Sequence, residues 1–437
     1  MEKQTKVTGK VLLPFITFVG LYLIVGISLT LAGNDNGFYA LPASVSVIAG
    51  IIVAFIVYDG SIDEKVGQII SGCGESNIII MLIIFLLAGA FGKVTAEIGG
   101  VNAIVNLGIS VIPPSLLVPG MFLIACFVCL AIGTSMGTIA TIAPICVSLS
   151  EAAHINMALL IAALLGGAMF GNTMAIIADT QIVTARVLDI NIKDKFLINL
   201  RITGLAVLIT SILYFVLGPS VDGGLVSAES YQLIKILPYI LVLGGSLLGG
   251  NVFVVLTLGI IFAGGVGVIY QDFTVLEFTQ TVHAGFASMF DVSVFSFLIG
   301  GLANMVNQAG GITWINQKLQ KLIRGRRSAM AGAMILPGAV DMALANDTVS
   351  VLITGSLIKD LSDRYQIDRR VMGTLMHTTV CIVQGLLPYG AQVLLATGFT
   401  NGKVSPLDVF PYHWYAYTAL LLCVATILIS KSKVKKV

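Results

Sequence analysis

The sequence predicts an all-α polytopic membrane protein of two inverted-topology repeats, each with five transmembrane helices plus a re-entrant helical hairpin. Three observations lead there. The 437 residues are 57% hydrophobic and 11% charged, whereas soluble domains carry about 25% charged residues. Apolar runs long enough to cross a bilayer recur along the chain. The second half also echoes the first at a shift of 211–212 residues. No soluble fold of this size could cover so much apolar surface, so lipid is the expected solvent. The 47 glycines suit close helix packing in a membrane.

A helix needs about 20 apolar residues to cross the hydrocarbon core. The clear runs are 11–33, 39–58, 77–95, 157–185, 202–218, 235–249, 251–270, 285–309, 371–399 and 413–430. The first is too long for a signal-peptide core and lacks a cleavage pattern, so it reads as a retained span. Two further stretches, 116–149 and 328–358, are too long for one span and too short for two. Each has a polar, Gly-rich middle, AIGTSMGTIAT and PGAVDMALANDTVS. We expect each to enter and leave on one side.

Charge placement supports this. With the N-terminus in the cytoplasm and both stretches re-entrant, only Lys93, Lys235 and Lys403 of the 24 basic residues fall outside the cytoplasmic segments. That satisfies the positive-inside rule. The loops around 116–149 hold no Lys or Arg, whereas those around 328–358 are rich in both. The two hairpins should therefore enter from opposite sides.

The repeat then divides the chain. Residues 1–10 form a cytoplasmic tail, 11–220 the first repeat with hairpin 116–149, 221–430 the second with hairpin 328–358, and 431–437 a basic cytoplasmic tail. Thr134 and Ser135 at one hairpin tip fall on Asn346 and Asp347 at the other. Inverted repeats with broken helices are a common architecture of secondary transporters, with the binding site at mid-membrane.

An ionisable group within a span is costly and so a functional candidate. Asp179, Asp291, Asp341 and Asp347 qualify. Asp179, Thr180 and Gln181 follow Gly171, Asn172 and Thr173 and offer consecutive oxygen-bearing side chains, as a hard cation requires. Asp347 sits with Asn346, Thr348 and Ser350. Asp341 is expected to cap a helix break after Pro337 and Gly338, and Asp291 to lie near a span end. The first tip supplies the hydroxyls of Thr134, Ser135 and Thr138. His377 and Gln384 occupy the counterpart of the Asp179 helix, and His377 titrates in the physiological range when unperturbed. Cys126 and Cys129 form a C-x-x-C inside an apolar run with no second pair, so packing is the expected role. No structural metal site is predicted.

The segments GTSMGTIATIAPI (133–145) and GGAMFGNTMAIIADT (166–180) resemble the NhaC-type sodium/proton antiporter family of the ion transporter superfamily. The resemblance covers most of the chain. Where that family has G-D-N-L-S-P-I-S-D-T-T, this chain runs from Gly171 to Gln181. Asp179 and Thr180 match, Asn172 replaces an aspartate, and the serines and proline are missing. The resemblance implies a secondary active transporter, a cation (Na⁺)/proton antiporter working by alternating access at a site between two broken helices and two hairpin tips, with Na⁺ or H⁺ as transported or coupling ion and no cofactor. The ion ligands expected are Asp179, Thr180, Asn172, Asp347 and Asn346. Solute contacts are expected from Thr134, Ser135, Thr138, Thr173, Thr348, His377 and Gln384. The missing aspartate leaves a second reading open: Na⁺- or H⁺-coupled transport of a small organic acid or amino acid.

The expected partners are the lipid bilayer, a monovalent cation and a small organic solute. An assembly of identical chains is compatible with the sequence. Nucleic acid is not an expected partner. An enzyme is not expected either, since neither an H-E-x-x-H motif nor an arginine within a span is present. The expected location is a bacterial-type plasma (inner) membrane, with both termini cytoplasmic.

Overall fold

The computed structural model describes residues 9–32, 40–100, 103, 113–176, 178–218, 232–248, 250–320 and 323–430. Among these there are helices and turns and no strand. Helices α1 (Leu13–Leu31), α2 (Ala43–Val57), α3 (Ile62–Cys73) and α4 (Ser76–Glu97) lead to a hairpin of α5 (Leu117–Ile132) and α6 (Ser135–Ala153). Next come α7 (Met157–Met174), α8 (Asp179–Leu188) and α9 (Ile192–Asn199), which passes through a π turn, Leu200–Gly204, into α10 (Leu205–Leu217). The rest comprises α11 (Leu237–Leu247), α12 (Val252–Ile269), α13 (Val275–Ser288), α14 (Phe290–Gln308) and α15 (Gly311–Gln320). A hairpin of α16 (Arg326–Leu344) and α17 (Asp347–Arg364) follows, then α18 (Arg369–Leu386), α19 (Ala391–Gly398) and α20 (Trp414–Ile429). Eight helical stretches among the described residues are long and apolar enough to cross a membrane.

The order of elements recurs. Leaving out α9 and α15, the elements from α2 to α10 have counterparts from α12 to α20, each starting 209 to 214 residues later. The tail 431–437 and residues 1–8 of the N-terminal tail lie outside the described residues.

Several boundaries differ from the sequence expectation. The runs 157–185 and 371–399 hold the two broken helices the sequence led us to expect, and the structure sets their breaks after Met174 and after Leu386. The run 285–309 takes in the end of α13 before α14 begins at Phe290. The hairpins reach Ala153 and Arg364, further than apolarity alone implies. No break follows Pro337 and Gly338: α16 continues through them to Leu344, since a proline removes only one helix hydrogen bond, a loss that membrane helices tolerate. Two short helices, α3 and α13, were not expected. Both carry charges that interrupt apolarity, and both start with a capping box, Ser61 with Glu64 and Thr274 with Glu277.

Burial grades outward from the middle of the molecule. Every residue of α7 from Ala158 to Met174 is buried, as is most of α18. Peripheral helices instead expose large apolar side chains such as Ile56, Ile269 and Leu421, the surface that lipid would cover. Helices α4 and α13 cross backbone against backbone: a Cβ on Gly89 would stand 2.3 Å from the Gly285 carbonyl oxygen. All six cysteines are free and buried. Cys129 donates to the Ala168 carbonyl at 3.0 Å, so the C-x-x-C packs α5 against α7.

One rim of the bundle is tied by ion pairs. Lys359 meets Asp189, Arg369 meets Asp363 at 2.7 Å, and Arg370 meets Asp368 at 2.7 Å. The hydrogen bond from Lys359 holds the Asp189 carboxyl below the usual carboxylate range, and Arg369 does the same to Asp363. These contacts link the ends of α8, α17 and α18.

Candidate functional site

The site lies where two hairpin tips meet two helix breaks. At the first tip Gly133 takes the left-handed conformation, φ 77°, and Thr134 precedes α6. At the second tip Ala345 takes it, φ 48°, and Asn346 caps α17, its Oδ1 accepting from the Val349 N–H at 3.0 Å. Glycine adopts this conformation freely; an alanine there costs about 1–2 kcal/mol. Gln384, at the end of α18, steadies the tip by donating from Nε2 to the Ala345 carbonyl at 2.8 Å.

Asp347 opens α17 and reaches across to the first half. Its Oδ2 accepts from Asn172 Nδ2 at 3.2 Å and from Thr180 Oγ1 at 3.3 Å. Its Oδ1 accepts from the Thr348 N–H at 2.8 Å. Thr180 Oγ1 also lies 3.1 Å from Thr348 Oγ1. Asn172 is near the end of α7 and Thr180 is in the first turn of α8, so the break between them places both against one carboxylate. The break frees helix carbonyls, which need donors. Asn199 Nδ2 supplies one, to the Thr173 carbonyl at 3.0 Å.

A cavity of about 130 Å³ opens between the tips. Thr134, Ser135, Asn172, Asn346, Asp347, Thr348, Gln384 and Gln392 form its polar wall, and Ile78, Met81 and Ile84 of α4 its apolar wall. The N-terminal residues of α6 and α17 line it, so the positive ends of two helix dipoles face the space.

The contacts come in corresponding pairs. Ser135 and Asp347, Asn172 and Gln384, and Thr180 and Gln392 are each 212 residues apart. Thr180 donates to Asp347, and in the counterpart contact Gln392 Nε2 lies 3.4 Å from Ser135 Oγ. Gln392 was missed in the sequence. The same offset applied to Thr180 would have found it.

Other predicted residues sit elsewhere. Thr138 and Thr173 donate to their own helices, to Thr134 O at 3.0 Å and Met169 O at 2.8 Å. Asp291 is exposed and lines a separate cleft with Tyr22, Ser288 and Asn401. Asp341 is fully buried behind the second tip. Neither of its oxygens meets a partner at hydrogen-bond geometry, although Ser350 and the Asn346 backbone lie close by and Asp347 is near enough to repel it. Asp179 is the first residue of α8. Gln181 and His377 turn away from the cavity toward Lys195. Among the described residues no group of three or more His, Cys, Asp or Glu side chains could hold a metal ion.

A helical membrane chain with broken helices and hairpin tips around a small polar cavity belongs to the class of secondary transporters. Comparison with known proteins narrows this. The model of the Na⁺/H⁺ antiporter family matches residues 5–219 and 227–431, and the chain belongs to that family. It is 24% identical to the Na⁺/H⁺ antiporter NhaC of Bacillus subtilis, over 80% of this chain and 83% of that one. It is 21% identical to the malate-2H⁺/Na⁺-lactate antiporter of the same organism, covering 93% and 94%. It is 22% identical to the arginine/ornithine antiporter ArcD of Halobacterium salinarum, covering 95% and 90%. Among solved structures it is similar to the Alcanivorax borkumensis YdaH transporter, with TM-score 0.42, 13% identity and 83% and 86% coverage. It is also similar to Neisseria gonorrhoeae MtrF, with TM-score 0.41, 11% identity and 94% of each chain covered.

Proposed function

We propose that this transporter exchanges Na⁺ for H⁺ by alternating access, at the site between the hairpin tips and the α7–α8 and α18–α19 breaks. One observation carries the reading. Asp347 on one hairpin tip is bound by Asn172 and Thr180 on either side of the first break. Carboxylate and hydroxyl oxygens converge there, donor types a hard cation takes, with the Asn172 amide N–H holding the carboxylate in place. Asp179 and Asn346 complete the proposed ligand set. A carboxylate withdrawn from water can hold a proton in place of a cation, which is the minimum that exchange at one site requires. In this reading the two halves lie inverted in a plasma membrane with both termini in the cytoplasm, so that the site can open to either side. The recurring element order supports the inversion, as does the opposite charge of the loops around the hairpins.

A second reading is exchange of a small organic acid or amino acid coupled to Na⁺ or H⁺. The amides of Asn172, Gln384 and Gln392 around the cavity favour it, as do the two helix N-termini facing an anion-sized space. The names of two relatives, a malate/lactate exchanger and an arginine/ornithine exchanger, point the same way.

Everted vesicles loaded with a pH-sensitive dye separate the two. Na⁺/H⁺ exchange predicts a dequenching on Na⁺ addition without any organic solute. If none appears at any pH from mildly acidic to alkaline, the first reading fails. Uptake of labelled carboxylic and amino acids into proteoliposomes then tests the second.

A further inference from the structure

A second buried polar cluster lies just outside the cavity. Lys195 on α9 is fully buried, as are Gln181 on α8 and His377 on α18. Lys195 Nζ donates to Gln181 Oε1 and lies 2.9 Å from His377 Nδ1. Among the described residues no carboxylate comes within ion-pair distance of this amine. A buried ammonium without a counter-ion is an expensive structural element, so its presence calls for a purpose.

The geometry limits the cluster to one excess proton. Two nitrogens 2.9 Å apart need a lone pair on one of them. With Lys195 as donor, His377 Nδ1 accepts and the ring hydrogen sits on Nε2, which has no partner. Gln181 Nε2 is also without one. The groups facing Lys195 are few. Helix α18 presents His377 and the Cys381 thiol, and α8 presents Gln181. Lys193, Asp194 and Arg201 nearby in the chain, and Arg186 on α8, point outward and are exposed.

The cluster is wired to the tip site. Cys381 lies one helical turn beyond His377 on α18, and Asn172 Nδ2 bridges its sulfur at 3.5 Å and Asp347 Oδ2 at 3.2 Å. The arrangement is also one-sided. At the offset of 212 residues the counterparts of Gln181 and His377 are Val393 and Leu165, both apolar, and α9, which carries Lys195, has no counterpart helix among the described residues. Packing by repetition does not explain a polar cluster present in one half alone.

We propose that Lys195 is the proton carrier of the exchange, held by Gln181 and His377, with its charge alternating with that of a cation at Asp347. When Asp347 is empty, the ammonium balances it. When a cation binds, one Nζ–H bond breaks, the nitrogen keeps the electron pair and the proton passes to water. The neutral amine keeps two hydrogens, enough for Gln181 Oε1 and His377 Nδ1. This deepens the Na⁺/H⁺ reading and rests on it, moving the exchanged proton from the carboxylate to the amine.

Full-length protein in proteoliposomes tests both separately. Exchange of labelled Na⁺ against internal Na⁺ reports the cation site, and Na⁺-driven proton movement reports coupling. For Lys195→Gln the expected result is retained Na⁺/Na⁺ exchange, lost proton movement and a Na⁺ affinity no longer dependent on pH. Should that variant not fold, Lys195→Arg keeps donors in place but releases no proton, and the same loss is expected. Retained Na⁺-driven proton movement with an unchanged pH profile in a folded variant overturns the proposal. Absence of Na⁺/Na⁺ exchange in the unaltered protein overturns the cation reading itself, and this inference with it.

Discussion

Replacing Asp347 by asparagine removes one negative charge and little else. The side chain keeps its shape and one carbonyl oxygen, but Asn172 Nδ2 at 3.2 Å and Thr180 Oγ1 at 3.3 Å lose an anionic acceptor. A unit charge about 4 Å from a bound cation contributes about 4 kcal/mol at an effective dielectric of 20. Since 1.4 kcal/mol is tenfold, Asp347→Asn should raise the half-saturating Na⁺ concentration by about three orders of magnitude. Loss of charge-assisted hydrogen bonds costs stability as well, about 1.5–3 kcal/mol for each bond lost, so the folded fraction must be measured beside transport. The assay is dye dequenching in everted vesicles across a Na⁺ titration, with thermal melting of the purified variant as control. A folded variant whose half-saturation moves by less than about tenfold would refute the assignment of Asp347 as the cation's anionic ligand.

Two further substitutions probe the first half. Gly171→Ala would place a Cβ 2.3 Å from Cys129 Cβ and 2.8 Å from its sulfur; we expect a loss of about 1–3 kcal/mol, read as a lowered melting temperature, with partial recovery on adding Cys129→Gly. Asn172→Asp would set two anionic oxygens about 3.2 Å apart, about 5 kcal/mol of repulsion at a dielectric of 20, unless a proton or cation lies between them. Na⁺ should therefore bind this variant more tightly at alkaline pH. A Na⁺ titration showing weaker or unchanged binding there would count against a shared site.

Much of this was legible because lipid makes polar groups conspicuous. Asp347, Asn172 and Thr180 stand out in apolar runs, and they meet. The hairpin tips were equally plain, since Gly133 and the polar residues around Ala345 interrupt long hydrophobic stretches. The first helix break was harder. Residues 175–178 read Ala-Ile-Ile-Ala, with neither proline nor glycine, and the carbonyl freed at Thr173 is answered by Asn199, 26 residues away. Helices α3 and α13 escaped because their charges hide an apolar face, although their capping boxes are written in the sequence. Lys195 was hidden for the opposite reason. It sits in the charged stretch Ile192 to Arg201 and counts as one loop lysine among several. Only the helical phase of α9 turns it inward while Lys193 and Asp194 stay exposed.

Asn172 gains its meaning from this geometry. An aspartate there could meet Asp347 only through a shared proton or a bound cation. The amide instead donates directly to Asp347 and, from the same nitrogen, to Cys381. It thus orients the carboxylate without adding charge and joins the tip to the helix carrying His377. Asp341 lies fully buried near Asp347, with no hydrogen-bond partner at either oxygen. In the proposed exchange the Lys195 ammonium balances Asp347 from inside the protein. A chain with one aspartate fewer at the first helix break and one buried amine nearby needs fewer outside cations to reach neutrality. That charge balance suits exchange of a single cation for a single proton. It equally suits a solute that brings its own ammonium group, so measuring how many charges move per cycle is the sharper question than which residue binds.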